Sequence, residues 1–126
     1  MKSKFMYVGI RVTNLQRSID FYTKILGMNV VGKNKIEQTK RTVVYLECEK
    51  GGFILELNYY DENSPFNTKY MVGEGLDHLA FKIDNIDMTL KEAKTAGYPT
   101  VLEMEAGGFR WAYIEDPNGI WIELFE

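Results

Sequence analysis

The sequence predicts an α+β fold made of two βαβββ modules, and three observations carry that prediction. The first is the stretch Asp116-Pro117-Asn118-Gly119-Ile120-Trp121-Ile122-Glu123-Leu124, a tight-turn signal feeding a short apolar run with one carboxylate inside it. The second is that Gly52-Phe53-Ile54-Leu55-Glu56-Leu57 repeats the pattern Gly119-Ile120-Trp121-Ile122-Glu123-Leu124 at a constant offset of 67. The third is a match of Val8–Leu15 with Leu79–Ile86 at an offset of 71, which pairs strand with strand and helix start with helix start. An internal repeat decides architecture before anything else, and here the repeating unit is about sixty residues long. The whole chain, 1–126, is expected to form one domain, with copies at about 5–58 and 76–125 and a connection at 59–75.

In the first copy, residues 5–12 read as a strand. Tyr7, Gly9 and Arg11 fall on one face, and the uniformly apolar Met6, Val8, Ile10 and Val12 on the other. Thr13 or Asn14 can cap a helix over 15–26, where Leu15, Ile19, Tyr22 and Leu26 recur at helical spacing and Gly27 stands where a terminal glycine belongs. Strands follow near 28–34, 41–48 and 53–58; in the last, Ile54, Glu56 and Asn58 lie opposite Phe53, Leu55 and Leu57. Residues 59–75 hold no clear period, and their aromatics Tyr59, Tyr60, Phe66 and Tyr70 either wall a pocket or pin a long loop to the body. The second copy starts with a strand at 76–83, in which Leu76, His78, Ala80 and Lys82 share a face. Asp84 or Asn85 caps a helix at 86–96 on which Ile86, Leu90 and Ala93 recur, and Gly97 ends it. The remaining strands fall near 98–104, 109–115 and 120–125.

An apolar content of 45% with 26% charged residues is that of an ordinary globular domain. A net charge of −3 with interspersed signs argues against a nucleic-acid or anionic-membrane partner. The first ten residues lack the apolar core of a signal peptide and no segment has the apolar length of a membrane span, so a cytoplasmic location is expected. One cysteine, Cys48, cannot form an intrachain disulfide and reads as a small buried strand residue.

A carboxylate inside an apolar strand is costly unless it is paired, hydrogen-bonded, bound to a cation or turned to water at a sheet edge. The repeat sets Glu56 opposite Glu123, and Tyr7 opposite His78. If each module's strands form a curved sheet, these four line a cup, with Arg11 and Lys82 further along. Two carboxylates and an imidazole suit a divalent Zn, Ni, Co, Mn or Fe ion. A lone histidine is also a common structural or surface residue.

The stretch Arg11–Met28 is similar to the opening of bacterial glyoxalase I. Residues Glu115–Gly119 with Ile122-Glu123-Leu124 resemble the terminal motif of the vicinal oxygen chelate superfamily. Leu55-Glu56-Leu57 and Asp77-His78-Leu79-Ala80-Phe81 fall where its other ligand strands belong. That superfamily includes lactoylglutathione lyase (glyoxalase I), methylmalonyl-CoA epimerase, extradiol dioxygenases and bleomycin-binding proteins. The resemblance implies paired βαβββ modules, commonly a homodimer, and one divalent metal held by Glu56, His78 and Glu123, with Tyr7 in place of the family's first histidine. It implies an isomerase or lyase acting on a hemithioacetal, or on a related small hydroxy-carbonyl compound, through an enediolate. Glu123 is then the first choice of base and Glu56 a ligand and possible second base. Arg11 matches the arginine that holds a glutathione carboxylate. Tyr60 replaces the asparagine that helps hold glutathione, and Glu74 stands where some glyoxalases carry a basic residue. The alternatives are another superfamily enzyme, such as an epimerase or dioxygenase, or a non-catalytic binder of drug-like molecules, for which Tyr7, Tyr60, Trp111 and Trp121 would suit.

Overall fold

In a computed structural model that describes residues 2, 6–73 and 76–126, the elements run β, α, β, β, β twice, as the repeat predicts. Phe5, where the first strand is expected to begin, and Glu74 and Gly75 at the end of the connection lie outside the described residues. The chain divides into two compact units, Met1–Tyr70 and Met71–Glu126.

The first unit contains β1 (Tyr7–Arg11), α1 (Leu15–Asp20), β2 (Asn29–Ile36), β3 (Arg41–Glu47) and β4 (Ile54–Tyr60). Its sheet has the order β1-β4-β3-β2; β1 runs parallel to β4 and the other pairs are antiparallel. Ile10, Val12, Leu55, Leu57, Val44 and Leu46 are buried, and with Phe21 and Tyr22 they form the core between sheet and helix. Asn14 caps α1, its Oδ1 accepting from the Arg17 amide at 3.0 Å. The predicted helix over 15–26 is α-helical only to Asp20 and widens into a π-helical turn over Phe21–Ile25. Thr23 Oγ1 donates to the Ile19 carbonyl at 2.7 Å, competing for an acceptor that regular helix bonding uses. The adjacent aromatics Phe21 and Tyr22 both bury fully, their rings meeting edge-on at 5.1 Å. Gly27 at φ +69° then releases the chain into β2.

Two expectations change here. Cys48 is exposed and lies outside the strand, because β3 stops pairing with β4 at Glu47↔Ile54 and the chain turns through 48–53. Tyr59 and Tyr60 belong to β4, where they pair with Thr42 and Arg41.

The second unit contains β5 (His78–Lys82), α2 (Ile86–Thr95), β6 (Thr100–Ala106), β7 (Phe109–Glu115) and β8 (Trp121–Phe125), in the sheet order β5-β8-β7-β6. The helix buries Ile86, Leu90 and Ala93 over Ala112, Ile114, Ile122 and Leu124. Asn85 caps α2 by accepting from the Met88 amide at 2.9 Å. Asn85→Ala is expected to destabilise the protein by about 1 kcal/mol, measured by urea unfolding, because one helix-end amide loses its acceptor.

The turn before β8 is built by a buried carboxylate. Asp116 Oδ1 accepts from the amides of Asn118 at 2.7 Å and Ile120 at 2.9 Å, and its Oδ2 accepts from the Asn118 side chain at 2.9 Å. Gly119 sits at φ +82°, with room above it limited by Val72. This rigid turn fixes where Trp121 and Glu123 start along the sheet. No helix among the described residues is long and apolar enough to cross a membrane.

Candidate functional site

Each sheet has one face against its helix and one face away from it, and the predicted site residues lie on the latter. In the second unit, parallel pairing sets His78 beside Trp121 and Ala80 beside Glu123, while antiparallel pairing sets Tyr113 beside Glu123. Paired residues project to the same side of a sheet, so His78, Glu123, Tyr113 and Trp121 share one surface. His78 Nε2 stands 3.2 Å from Glu123 Oε2. Its Nδ1 stands 2.6 Å from Oδ1 of Asp77. Tyr113 meets the His78 ring edge-on at 5.7 Å and the Trp121 ring at a tilt at 5.5 Å, and the Trp121 indole N–H donates to Glu115 at 3.2 Å.

The hydrogen bond with Asp77, reinforced by the negative charges of Glu123 and Asp77, raises the His78 imidazole above its ordinary pKa despite partial desolvation. Burial first, then the Glu123 and Asp77 charges, push the Tyr113 phenol upward. Asp77 was not among the residues expected at the site. Strand alternation would send it to the face opposite His78, but β5 begins at His78 and leaves Asp77 free to turn back. The signal available in the sequence was only its adjacency to the sole histidine.

In the first unit, Glu56 lies in the middle of β4, only 9% exposed. No hydrogen bond or ion pair reaches its carboxylate among the described residues. Its β1 neighbour is Gly9, and a Cβ there would stand 3.7 Å from Glu56 Oε1 and 3.2 Å from Asn58 Nδ2. The glycine therefore leaves space directly beside the carboxylate. Tyr7, two residues before Gly9 on the same face, is 55% exposed. Arg11, the expected substrate-carboxylate anchor, is instead engaged by its own connection. Its guanidinium donates to Asn67 Oδ1 at 2.9 Å, to the Thr68 carbonyl at 2.6 Å and to Thr68 Oγ1 at 3.2 Å, and it faces the rings of Tyr60 and Tyr70. Tyr60 is half-buried, near Phe66 and Arg41. The connection's aromatics thus pin the loop, with Arg11 as the clasp.

The four positions of the repeat are divided between the units: Tyr7 and Glu56 in the first, His78 and Glu123 in the second. Among the described residues no group of three or more His, Cys, Asp or Glu side chains is gathered to hold a metal ion. The donors present nevertheless suit a divalent cation in two respects. Two ligand bonds of about 2.1 Å set their donor atoms roughly 3.0 Å apart at a right angle and roughly 3.4 Å apart at the tetrahedral angle. The 3.2 Å between His78 Nε2 and Glu123 Oε2 falls between these values. The second respect is the Glu56 carboxylate, an oxygen donor without a hydrogen-bond or ion-pair partner among the described residues and with the space of Gly9 beside it.

Comparison with known proteins agrees with this architecture. Residues 4–124 match the family described as the Glyoxalase/Bleomycin resistance protein/Dioxygenase superfamily. A probable chloroplastic lactoylglutathione lyase of Arabidopsis thaliana is 33% identical over 131 residues, covering 99% of this chain but 36% of that protein, so the chain spans about a third of the plant relative's length. The lactoylglutathione lyase of Escherichia coli O157:H7 is 32% identical over 130 residues, covering 98% of this chain and 92% of the relative. Among solved structures, the trypanothione-dependent glyoxalase I of Leishmania major superposes with a TM-score of 0.83 at 29% identity, over 99% of this chain and 87% of that one. The chain belongs to the glyoxalase/bleomycin resistance protein/dioxygenase superfamily.

Proposed function

We propose that this protein is a glyoxalase I-like, metal-dependent lyase or isomerase acting on a hemithioacetal or a related small hydroxy-carbonyl compound. The observation that carries the reading is the convergence of His78 Nε2 and Glu123 Oε2 at 3.2 Å on the face away from the helix. Relatives named lactoylglutathione lyase support it. His78, Glu123 and Glu56 are the residues we assign to one divalent ion of the Ni, Zn, Co, Mn or Fe group, in a protein we read as a homodimer. When bound, such an ion supplies Lewis-acid polarisation of the substrate's adjacent oxygens. Glu123 takes the proton from the carbon beside the carbonyl, and a carboxylate, Glu123 itself or Glu56, returns it to the neighbouring carbon, so that the reaction is a net isomerisation. Trp121 and Tyr7, both partly exposed, and Tyr60 and Arg11, which meet across β4 and β1, are the residues we assign to substrate contact. Arg11 can meet a substrate carboxylate only by exchanging it for part of the clasp on Asn67 and Thr68. A cytoplasmic location accords with this role.

A second reading has its own observation. The ring chain Trp111–Phe109–Phe125, with centroid spacings of 5.5 and 6.2 Å, and the Tyr113–Trp121 pair give the second unit an aromatic surface that a binder of flat apolar molecules would use.

The test is the turnover of methylglyoxal–glutathione hemithioacetal by chelator-treated protein, before and after addition of Ni2+ or Zn2+, with metal content measured in parallel. The enzyme reading expects activity to vanish on chelation and to return with about one ion per site. Protein that takes up no metal and still retains an aromatic ligand would establish the binding module instead.

A further inference from the structure

We infer that Asp77 is a positioning residue for His78: its carboxylate fixes the imidazole as the Nδ1–H tautomer, leaving the Nε2 lone pair aimed to the Glu123 side. The inference rests on the metal-site reading for its purpose, and on geometry alone for its existence. A neutral imidazole carries one proton and two distinct nitrogens, and the hydrogen bond made by one nitrogen decides the role of the other. A free histidine side chain favours the proton on Nε2. In this protein both nitrogens face a carboxylate, but not equally. Nδ1 is 2.6 Å from Asp77 Oδ1, whereas Nε2 is 3.2 Å from Glu123 Oε2. The shorter contact is the stronger charge-assisted bond, so the single proton belongs on Nδ1.

Among the described residues, the ring's other neighbours do not compete for that proton. Tyr113 presents its ring to the imidazole edge-on at 5.7 Å, and Trp121, the strand partner of His78, gives its indole N–H to Glu115. Among the described residues, Asp77 therefore makes the one short polar contact to Nδ1. It makes this contact from outside the sheet, preceding the first strand residue, with its own side chain largely exposed. Once the ring is neutral, the consequence is an imidazole presented in the form a cation binds, with the Nε2 lone pair beside a carboxylate oxygen.

The chain has one histidine, so its nitrogen resonances need no assignment. The experiment is nitrogen-15 NMR of the imidazole in metal-free full-length protein at alkaline pH, where the ring is neutral, together with calorimetric titration of Ni2+ into the same samples. The parent is expected to show mainly the Nδ1–H tautomer. Asp77→Ala is expected to revert to mainly Nε2–H and to bind Ni2+ about 10–100-fold more weakly, the usual cost of losing a ligand's supporting partner. Asp77→Glu, which restores a carboxylate, should recover part of both effects. A parent spectrum dominated by Nε2–H, or one unchanged in Asp77→Ala, overturns the inference. A tautomer shift with unchanged Ni2+ affinity, in a protein where His78→Ala does lose Ni2+, also overturns it, because the ring is then held without consequence for the ligand. If His78→Ala binds Ni2+ as the parent does, the metal-site reading fails, and the spectra alone decide whether Asp77 governs the ring.

Discussion

Glu123→Gln is expected to lower kcat/KM for hemithioacetal isomerisation by roughly 10²–10⁴-fold, the range typical of a positioned general base. At about 1.4 kcal/mol per factor of ten, the lost transition-state stabilisation is about 3–5 kcal/mol. The substitution keeps the shape of the side chain and leaves its strand pairing with Tyr113 and Ala80 intact, so unfolding by urea should change little. What goes is the charge and the proton-accepting oxygen. Glu123 is assigned both to the ion and to the proton, and the two duties separate in the assay. A loss that saturating Ni2+ repairs assigns Glu123 to the metal only. A loss that persists with the metal fully loaded assigns it to proton transfer. Glu56→Gln supplies the comparison, since as a ligand and second base it should lose more metal affinity than rate at saturation. Equal activity of parent and Glu123→Gln at equal metal content would remove Glu123 from the mechanism.

Much of the fold was legible because the information is periodic and local. Alternation over β4 and β8 predicts which side chains leave the helix-covered face, and Asp116-Pro117-Asn118-Gly119 announces its own turn through a buried carboxylate with three short bonds. The repeat supplied the rest, since each copy tests the assignment of the other. What was not legible depends on where pairing starts and stops. Cys48 looked like a strand residue because nothing in its side chain records that β3 and β4 part at Glu47. Asp77 was hidden for the same reason at the edge of β5. The π-helical turn after Asp20 escaped because Leu15, Ile19, Tyr22 and Leu26 fit helical spacing whether or not a hydroxyl such as that of Thr23 takes a backbone acceptor. Arg11 was placed on the right face, but its clasp on Asn67 and Thr68 links residues more than fifty apart in sequence, beyond the reach of any local pattern. The strand faces of these residues were thus read by position, while their hydrogen-bonded neighbours had to be seen.

Tyr7→His is expected to tighten Ni2+ binding by roughly 10²-fold or more, since losing even a ligand's supporting partner costs about 10–100-fold. The argument comes from register. In the second unit His78 pairs with Trp121, two residues before Glu123, and its Nε2 comes within 3.2 Å of that carboxylate. In the first unit Tyr7 pairs with Ile54, two residues before Glu56, in the same parallel arrangement. Position 7 therefore stands to Glu56 as position 78 stands to Glu123. An imidazole there would form the same nitrogen–carboxylate pair beside the space that Gly9 leaves open. A phenol does not supply that pair, because it offers no ring nitrogen, and imidazole is the donor that suits Ni and Zn. Tyr7 is more than half exposed and makes little of the core, so the exchange should leave stability within about 0.5 kcal/mol of the parent. Calorimetric titration of both proteins reads the outcome. Equal affinities would place position 7 outside the ligand sphere and break the proposed equivalence of the two half-sites. A tighter site with no gain in hemithioacetal turnover would assign the remaining limit to substrate contacts, where Tyr60 and the engaged Arg11 stand in place of a free glutathione-binding pair.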